Sequence, residues 1–215
     1  MAFCWFTTRR RLVGLGYGWL LRGTYGLLAV GALLSGLKFG VNGVRETATA
    51  LVIVTTFGAL GLSIARKGAG VAGQTAEHDR RTARVAAMTG IDREDRSATA
   101  AGREFPPVLD LVPAVIGAVG LIGAGLDAGG HAVVAVLRLL VGAAFLGAVS
   151  DAMLLGHWYL VQPGLPRKLL NELVSALGWV WPFEVVVLLL PTGMFSVLGG
   201  SVVNVLGAVR TDQGS

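Results

Sequence analysis

The sequence predicts an all-α bundle of transmembrane helices, and three observations lead to this fold class. Of the 215 residues, 53% are hydrophobic and only 14% are charged, whereas soluble domains have about a quarter charged residues. The mean hydropathy is +0.68. The charged residues are clustered, and the uncharged runs between them are long enough to cross a bilayer as helices. A soluble fold of this size has too little interior to bury these runs, so lipid must be their solvent.

The excess of basic over acidic residues in the chain indicates membrane topology rather than nucleic-acid binding. The formal net charge is +5, and the basic residues flank the apolar runs, as they do in cytoplasmic loops. There is no basic stripe with interleaved aromatic residues, so we expect no nucleic-acid partner. Cys4 is the only cysteine, which excludes an internal disulfide and a cysteine-rich zinc site.

Residues 1–65 are predicted to contain a basic N-terminal leader and two membrane spans. Arg9, Arg10 and Arg11 precede an apolar run, as in a signal peptide, but Arg22 interrupts that run. No convincing small-residue cleavage site follows, so we interpret this part as a leader that is retained before the first span.

The two spans of this unit are predicted over residues 24–41 and 47–65. The run at 51–54 is strand-like by itself, but an isolated strand in lipid would leave its backbone unsatisfied, so a helix is favoured. Gly36 and Gly40 have the GxxxG spacing that allows a second helix to approach closely. We therefore predict that these two glycines form a helix-packing face.

Residues 66–106 form a hydrophilic loop between the second and third spans, and we predict a short helix around 75–88 within it. Residues 107–161 contain the third span, over 107–126, and the fourth span, over 132–160. Two prolines at the start of the third span suit the first helical turn, where the backbone N–H groups lack partners anyway.

The C-terminal part allows two interpretations, and the preferred one gives five spans in total. It places an interfacial amphipathic helix at 166–177, within residues 162–181, and one last span in residues 182–215. Pro166 and Gly178 would delimit the amphipathic helix, because proline suits a helix start and glycine a helix end. Its leucines share one face, as in helices that lie on a membrane surface.

The alternative interpretation has two C-terminal spans, over 169–190 and 193–209, and gives six spans in total. The positive-inside rule places the N-terminus, the 66–106 loop and the 162–181 segment in the cytoplasm. The C-terminus then lies outside in the five-span chain, whereas the six-span chain returns Arg210 to the inside. We predict a multi-pass protein of a bacterial inner (plasma) membrane with a cytoplasmic N-terminus.

Ionisable residues within membrane spans are costly and therefore suggest a functional site. Asp151 lies among apolar residues of the fourth span, and His157 follows six positions later, about 9 Å along a helix. We predict a polar pocket that opens toward the cytoplasm, with Asp151 as its deepest member. The candidate members of this pocket are Asp151, His157, Tyr159, Arg22, Asp110, Glu184 and Asn204. The competing interpretation is that most of these residues are interfacial, with Asp151 satisfied by Arg22 or Asn204.

A haem site is a further hypothesis, in which His157 pairs with His78 or with a methionine. His131 and His157 cannot ligate the same iron, because 26 helical residues separate them by about 39 Å. We predict no catalytic residue and no metal site, since the chain has no GxSxG nucleophile elbow and no pair of good ligands at zinc spacing.

Three functions follow from these observations. The first is an accessory or assembly subunit of a larger membrane complex, with a membrane-protein partner or a second copy of the chain. The small-residue helix faces and the lack of a recognisable active site favour it. The second is a permease or channel for a small solute or ion, for which polar groups in the spans are sparse. The third is a membrane redox subunit that binds haem or quinone near His157.

Overall fold

The computed structural model describes residues 1–90, 103–128, 131–162 and 164–189. All regular structure within these ranges is helical, with two short 3₁₀ turns at Lys67–Ala69 and Pro107–Asp110. The α-helices are α1 (Ala2–Thr8), α2 (Leu15–Phe39), α3 (Gly43–Ala65), α4 (Ala72–Thr89), α5 (Leu111–Asp127), α6 (Ala132–Val161) and α7 (Arg167–Leu189).

Five of these helices are long and apolar enough to cross a membrane: α2, α3, α5 with the 3₁₀ turn before it, α6 and α7. The predicted class, a membrane-embedded helical bundle, is thereby confirmed. α2 packs on α3, α3 on α5, α5 on α6, and α6 on α7. α2 and α3 are antiparallel, because Gly26 lies against Phe57 while Gly36 lies against Glu46.

The two ends of the bundle differ in what they contain. One end holds α1, the start of α2 and the end of α6, and we call it the α1 end. The other end holds the turn between α2 and α3, and we call it the far end. A buried apolar cluster joins α1, α2, α6 and α7 at the α1 end. Its members are Cys4, Val13, Tyr17, Leu21, Leu155, Leu165, Leu169 and Leu173.

The first span is longer than predicted, because α2 begins at Leu15 instead of residue 24. Arg22 was expected to interrupt the apolar run, but its side chain is only 3% exposed. A buried, paired arginine does not need to reach water, so the helix continues through it.

The predicted helix end at Gly178 is not observed, because α7 is continuous from Arg167 to Leu189. Gly178 does not adopt the positive φ that a glycine helix stop uses. Pro182 removes one backbone N–H, and it lies inside the helix at an exposed position. α7 matches the first C-terminal span of the six-span interpretation. The predicted span over 193–209 and Asn204 lie outside the described residues.

Candidate functional site

A buried ion pair between Arg22 and Asp110 lies at the α1 end. Arg22 donates two hydrogen bonds to the Asp110 carboxylate, Nε to Oδ1 and Nη2 to Oδ2, both at 2.7 Å. The ring of Phe105 stacks on the guanidinium at 4.2 Å, and Ser63 accepts from Nη1 at 3.4 Å. Cys4 of α1 lies 3.6 Å from Asp110 Oδ2 through its thiol. Both charges are therefore paired, and the pair ties α2 to the start of α5.

Asp151 in α6 is also fully buried, but its carboxylate is poorly satisfied. Oδ2 accepts from the Thr7 hydroxyl at 3.3 Å, whereas Oδ1 has no partner among the described residues. The Thr7 hydroxyl has a single proton, and the carbonyl oxygens of Phe3 and Cys4 compete for it at 3.1 and 3.0 Å. The donor of this hydrogen bond is therefore shared, and Asp151 also interacts with the N-terminal ammonium of Met1 and with the Tyr25 hydroxyl.

Two hydroxyl groups at about the depth of Asp151 in the bundle are buried without a hydrogen-bond partner in the described part of the chain. They are Tyr25 Oη on α2 and Thr56 Oγ1 on α3. Tyr17, two helical turns before Tyr25, donates its hydroxyl to the backbone carbonyl of Asp151 at 3.3 Å. This places the Tyr25 face of α2 toward α6 at the α1 end.

A cavity of about 420 Å³ lies between α2, α3, α5 and α6. Its walls are mostly small or apolar, including Ala29, Ala32, Val52, Ala114, Gly117, Ala118, Gly120, Leu121, Leu140, Ala143, Ala144 and Gly147. Met1 and Phe3 line its α1 end, and Arg45 lines its far end. Pockets of this size, about 300–1,000 Å³, are typical of small-molecule sites.

The unpartnered oxygen atoms Asp151 Oδ1, Tyr25 Oη and Thr56 Oγ1 belong to residues just beyond the α1 end of this cavity. Tyr25 precedes the lining residue Ala29 by one turn, Asp151 follows Gly147 by one turn, and Thr56 follows Val52 by one turn. One turn is about 6 Å along a helix. The apolar cavity therefore ends near a group of unsatisfied polar side chains.

The cavity has a side opening between α2 and α6. Ala32 of α2 and Ala143 of α6 both line the cavity and are both exposed. α2 and α6 pack together much less closely than the sequential helix pairs do, and Tyr17 contacts Trp158 near the α1 end. The cavity is therefore least enclosed between α2 and α6.

A second ion pair lies at the far end. Arg45 donates from Nε to Glu46 Oε1 at 2.9 Å, and Glu46 is 8% exposed with its Oε2 unpartnered. Gly36 accommodates this carboxylate, because a Cβ at this position would collide with it. Gly40, predicted to form a helix-packing face together with Gly36, follows the last residue of α2, and a Cβ there would meet nothing.

Of the predicted pocket residues that the structure describes, it brings together Arg22, Asp110 and Asp151. Arg22 pairs with Asp110 and not with Asp151, so the interpretation in which Arg22 satisfies Asp151 is wrong. His157 is exposed on α6. Tyr159 donates its hydroxyl to the Pro166 carbonyl at 2.7 Å and stabilises the turn into α7.

Glu184 lies elsewhere, between α6 and α7. Its carboxylate lies against Gly142, which is nine residues from Asp151, or about 13 Å along α6. This is the far half of α6, whereas the five-span interpretation expected Glu184 near the α1 end. Asn204 lies outside the described residues.

Sequence reasoning missed several polar side chains of the site, including Thr7, Tyr17, Tyr25, Thr56 and Ser63. Thr56 and Ser63 are seven positions apart and Tyr17 and Tyr25 are eight apart. Each spacing is close to two helical turns, so each pair shares one face. A search for polar pairs at these spacings would have found them.

The fold and the site together define a polytopic helical membrane protein with buried ionisable residues beside a central cavity. No group of three histidine, cysteine or acidic side chains in the described ranges is placed to hold a metal ion. No protein-family model matches the chain, and no curated protein or solved structure shows significant similarity to it.

Proposed function

We propose that the protein is a permease that binds a small solute in the cavity between α2, α3, α5 and α6. The observation that carries this proposal is the unpartnered Asp151 Oδ1 beside the α1 end of that cavity. An unsatisfied buried acceptor costs about 1–3 kcal/mol, and more when it is charged. A solute that donates a hydrogen bond to Asp151 would offset this cost.

A route through the bundle needs access from both ends, and α1 lies where such access would be controlled. A crevice of about 40 Å³ beside Arg22 is lined by Thr8 of α1, and the cavity is lined by Phe3 of α1. α1 therefore lies between the crevice and the cavity. It is only seven residues long, and displacing it would connect the two.

The orientation of the permease follows from the distribution of basic residues. Arg9, Arg10 and Arg11 lie at the α1 end, together with the arginine-rich α4. The positive-inside rule therefore supports a cytoplasmic α1 end. We propose that the protein lies in the inner membrane with its N-terminus in the cytoplasm.

Proteoliposomes test this proposal directly. We expect faster entry of a small solute with an apolar body than in protein-free liposomes, and the assay compares amines, alcohols and carboxylates with protons and potassium. Ala144→Phe should block entry by filling the cavity, and Asp79→Asn on the exposed face of α4 should not. If no solute in this set enters faster with protein, or if Ala144→Phe is fully active, the permease proposal is wrong.

Assembly with another membrane protein, or with a second copy of the chain, is the second proposal. It is supported by Glu184, whose Oε2 is buried between α6 and α7 and has no partner among the described residues. A donor on a neighbouring subunit would satisfy it if assembly opens the contact between α6 and α7. Native mass spectrometry in mild detergent should then show a complex that Glu184→Gln weakens, whereas a monomer without partners argues against assembly. The redox proposal gains no support from His157, which is exposed away from the cavity.

A further inference from the structure

The three unpartnered oxygen atoms beside the cavity point to a particular class of ligand. We infer that the site binds a cationic amine with an apolar body, with its ammonium group held by Asp151, Tyr25 and Thr56. This inference rests on the proposed permease function, because it names the solute class of the same cavity. The apolar body would occupy the cavity itself.

The donors of an ammonium group match the unsatisfied acceptors. A primary ammonium has three N–H donors and no acceptor, while a carboxylate and two hydroxyl oxygens supply three acceptors. Asp151 and Thr56 are both fully buried, so their oxygens cannot turn to bulk water for partners. Hydrogen bonds to a charged group contribute about 1.5–3 kcal/mol each, roughly twice a neutral one.

The charges around the site favour a cation over an anion. At the α1 end, the positive charge of Arg22 is matched by Asp110 at 2.7 Å. At the far end, Arg45 is paired with Glu46. Asp151 has no cationic side chain against it in the described part, and the N-terminal ammonium of Met1, which lines the cavity, acts on it electrostatically. A bound anion would meet this carboxylate, whereas the ammonium of a ligand would share it with the Met1 ammonium.

The walls and the side opening indicate that the rest of the ligand is apolar. The cavity walls offer mainly alanine, glycine and aliphatic side chains, with few hydrogen-bonding groups between the two ends. A hydrophilic molecule would lose its hydration there without replacement. Ala32 and Ala143 line the cavity and are exposed, so in a membrane the opening between them would face the bilayer, where amphiphilic amines accumulate with their apolar part.

Three ligands that share one apolar cage test the inference with the full chain in nanodiscs. They are 1-aminoadamantane, 1-adamantanol and adamantane-1-carboxylate, which carry an ammonium, a hydroxyl and a carboxylate group. We expect the Kd of the amine, measured by calorimetry, to be about ten- to a hundredfold lower than that of the alcohol. The carboxylate should bind most weakly.

Variants separate the head-group site from the cavity. Asp151→Asn should remove the preference for the amine while leaving the weak binding of the alcohol unchanged. Tyr25→Phe should weaken amine binding by about tenfold or less, the value of one hydrogen bond. Ala144→Phe should abolish binding of all three ligands, and Asp79→Asn should change none. If Asp151→Asn fails to fold, Tyr25→Phe and Ala144→Phe still decide the question.

Several results would overturn the inference. Equal Kd values for the three ligands, an amine preference that survives Asp151→Asn, or displacement of the amine by sodium ions alone would each do so. Amine binding without amine transport in proteoliposomes would overturn the permease function and leave the binding site standing. Transport of another solute without amine binding would do the opposite.

Discussion

Arg22 and Asp110 lie 88 positions apart in the sequence and form a buried bidentate ion pair with both N–O distances at 2.7 Å. Asp151, only a few side chains away, is equally buried but has one carboxylate oxygen without a partner. Two buried acids of the same type therefore differ in what they contribute. Asp110 has its charge paired within the bundle, whereas Asp151 has one oxygen without a partner in the described part, to which we propose that a ligand donates.

Removal of one member of the ion pair should destabilise the protein strongly. We expect Asp110→Asn or Arg22→Met to lower the free energy of unfolding by about 3–5 kcal/mol, because the remaining charge stays buried without its partner. The double variant Arg22→Met with Asp110→Leu should recover most of this loss. Thermal unfolding in detergent measures the effect, and Arg84→Gln on the exposed face of α4 is the control. Equal stability of all variants would contradict a structural role for the pair.

Asp151→Asn should have the opposite effect, because we expect the protein to keep its stability and to lose its transport activity. The amide removes a charge that costs about 2.5–3.5 kcal/mol to insert near a helix centre, and it can still accept from Thr7. We expect an unfolding temperature equal to or above that of the unchanged protein, normal membrane insertion, and loss of transport in proteoliposomes. A strongly destabilised Asp151→Asn variant would mean that Asp151 is a structural residue like Asp110.

The two glycines of the GxxxG pair should respond differently to alanine. Gly36→Ala places a methyl group against the Glu46 carboxylate, and we expect a loss of about 1–3 kcal/mol in stability, as for other overpacked sites. Gly40→Ala should be neutral, because its φ of 169° is ordinary extended backbone and a Cβ there meets no neighbour. Unfolding of the two variants side by side measures this difference, and similar losses would argue for a continuous glycine packing face.

Cys4 should react slowly with maleimides in the folded protein. Its side chain is fully buried, and burial together with the nearby Asp110 carboxylate raises the pKa of the thiol well above its ordinary value. The thiolate is the reactive form, so both effects slow labelling relative to the chain unfolded in SDS. Because Cys4 is the only cysteine, the labelling rate reports on α1 alone. Phe3→Ala removes the contact between the Phe3 ring and Gly147, so this variant should be labelled faster. An equally fast reaction before and after unfolding would show that α1 does not pack in the bundle.

The sequence alone predicted part of the site. Asp151 stood out because an acid among apolar residues is costly wherever the helix packs, and its burial agrees with that expectation. Its surroundings were not predictable, since Thr7 and Asp151 are separated by 144 positions. His157 looked equally promising by its place in the sequence, yet it projects away from the site because six residues rotate it by about 120° from Asp151.

The fold class of this protein is determined by the sequence itself, because the length of an uninterrupted apolar run is a local property that decides whether a helix can span a bilayer. The pairing of Arg22 with Asp110, the continuity of α7 through Pro182, and the cavity beside Asp151 were decided only by the tertiary structure. Each depends on which helix faces meet and at which depth. Lipid is as apolar as the side chains it surrounds, so apolar patterning alone does not specify those faces.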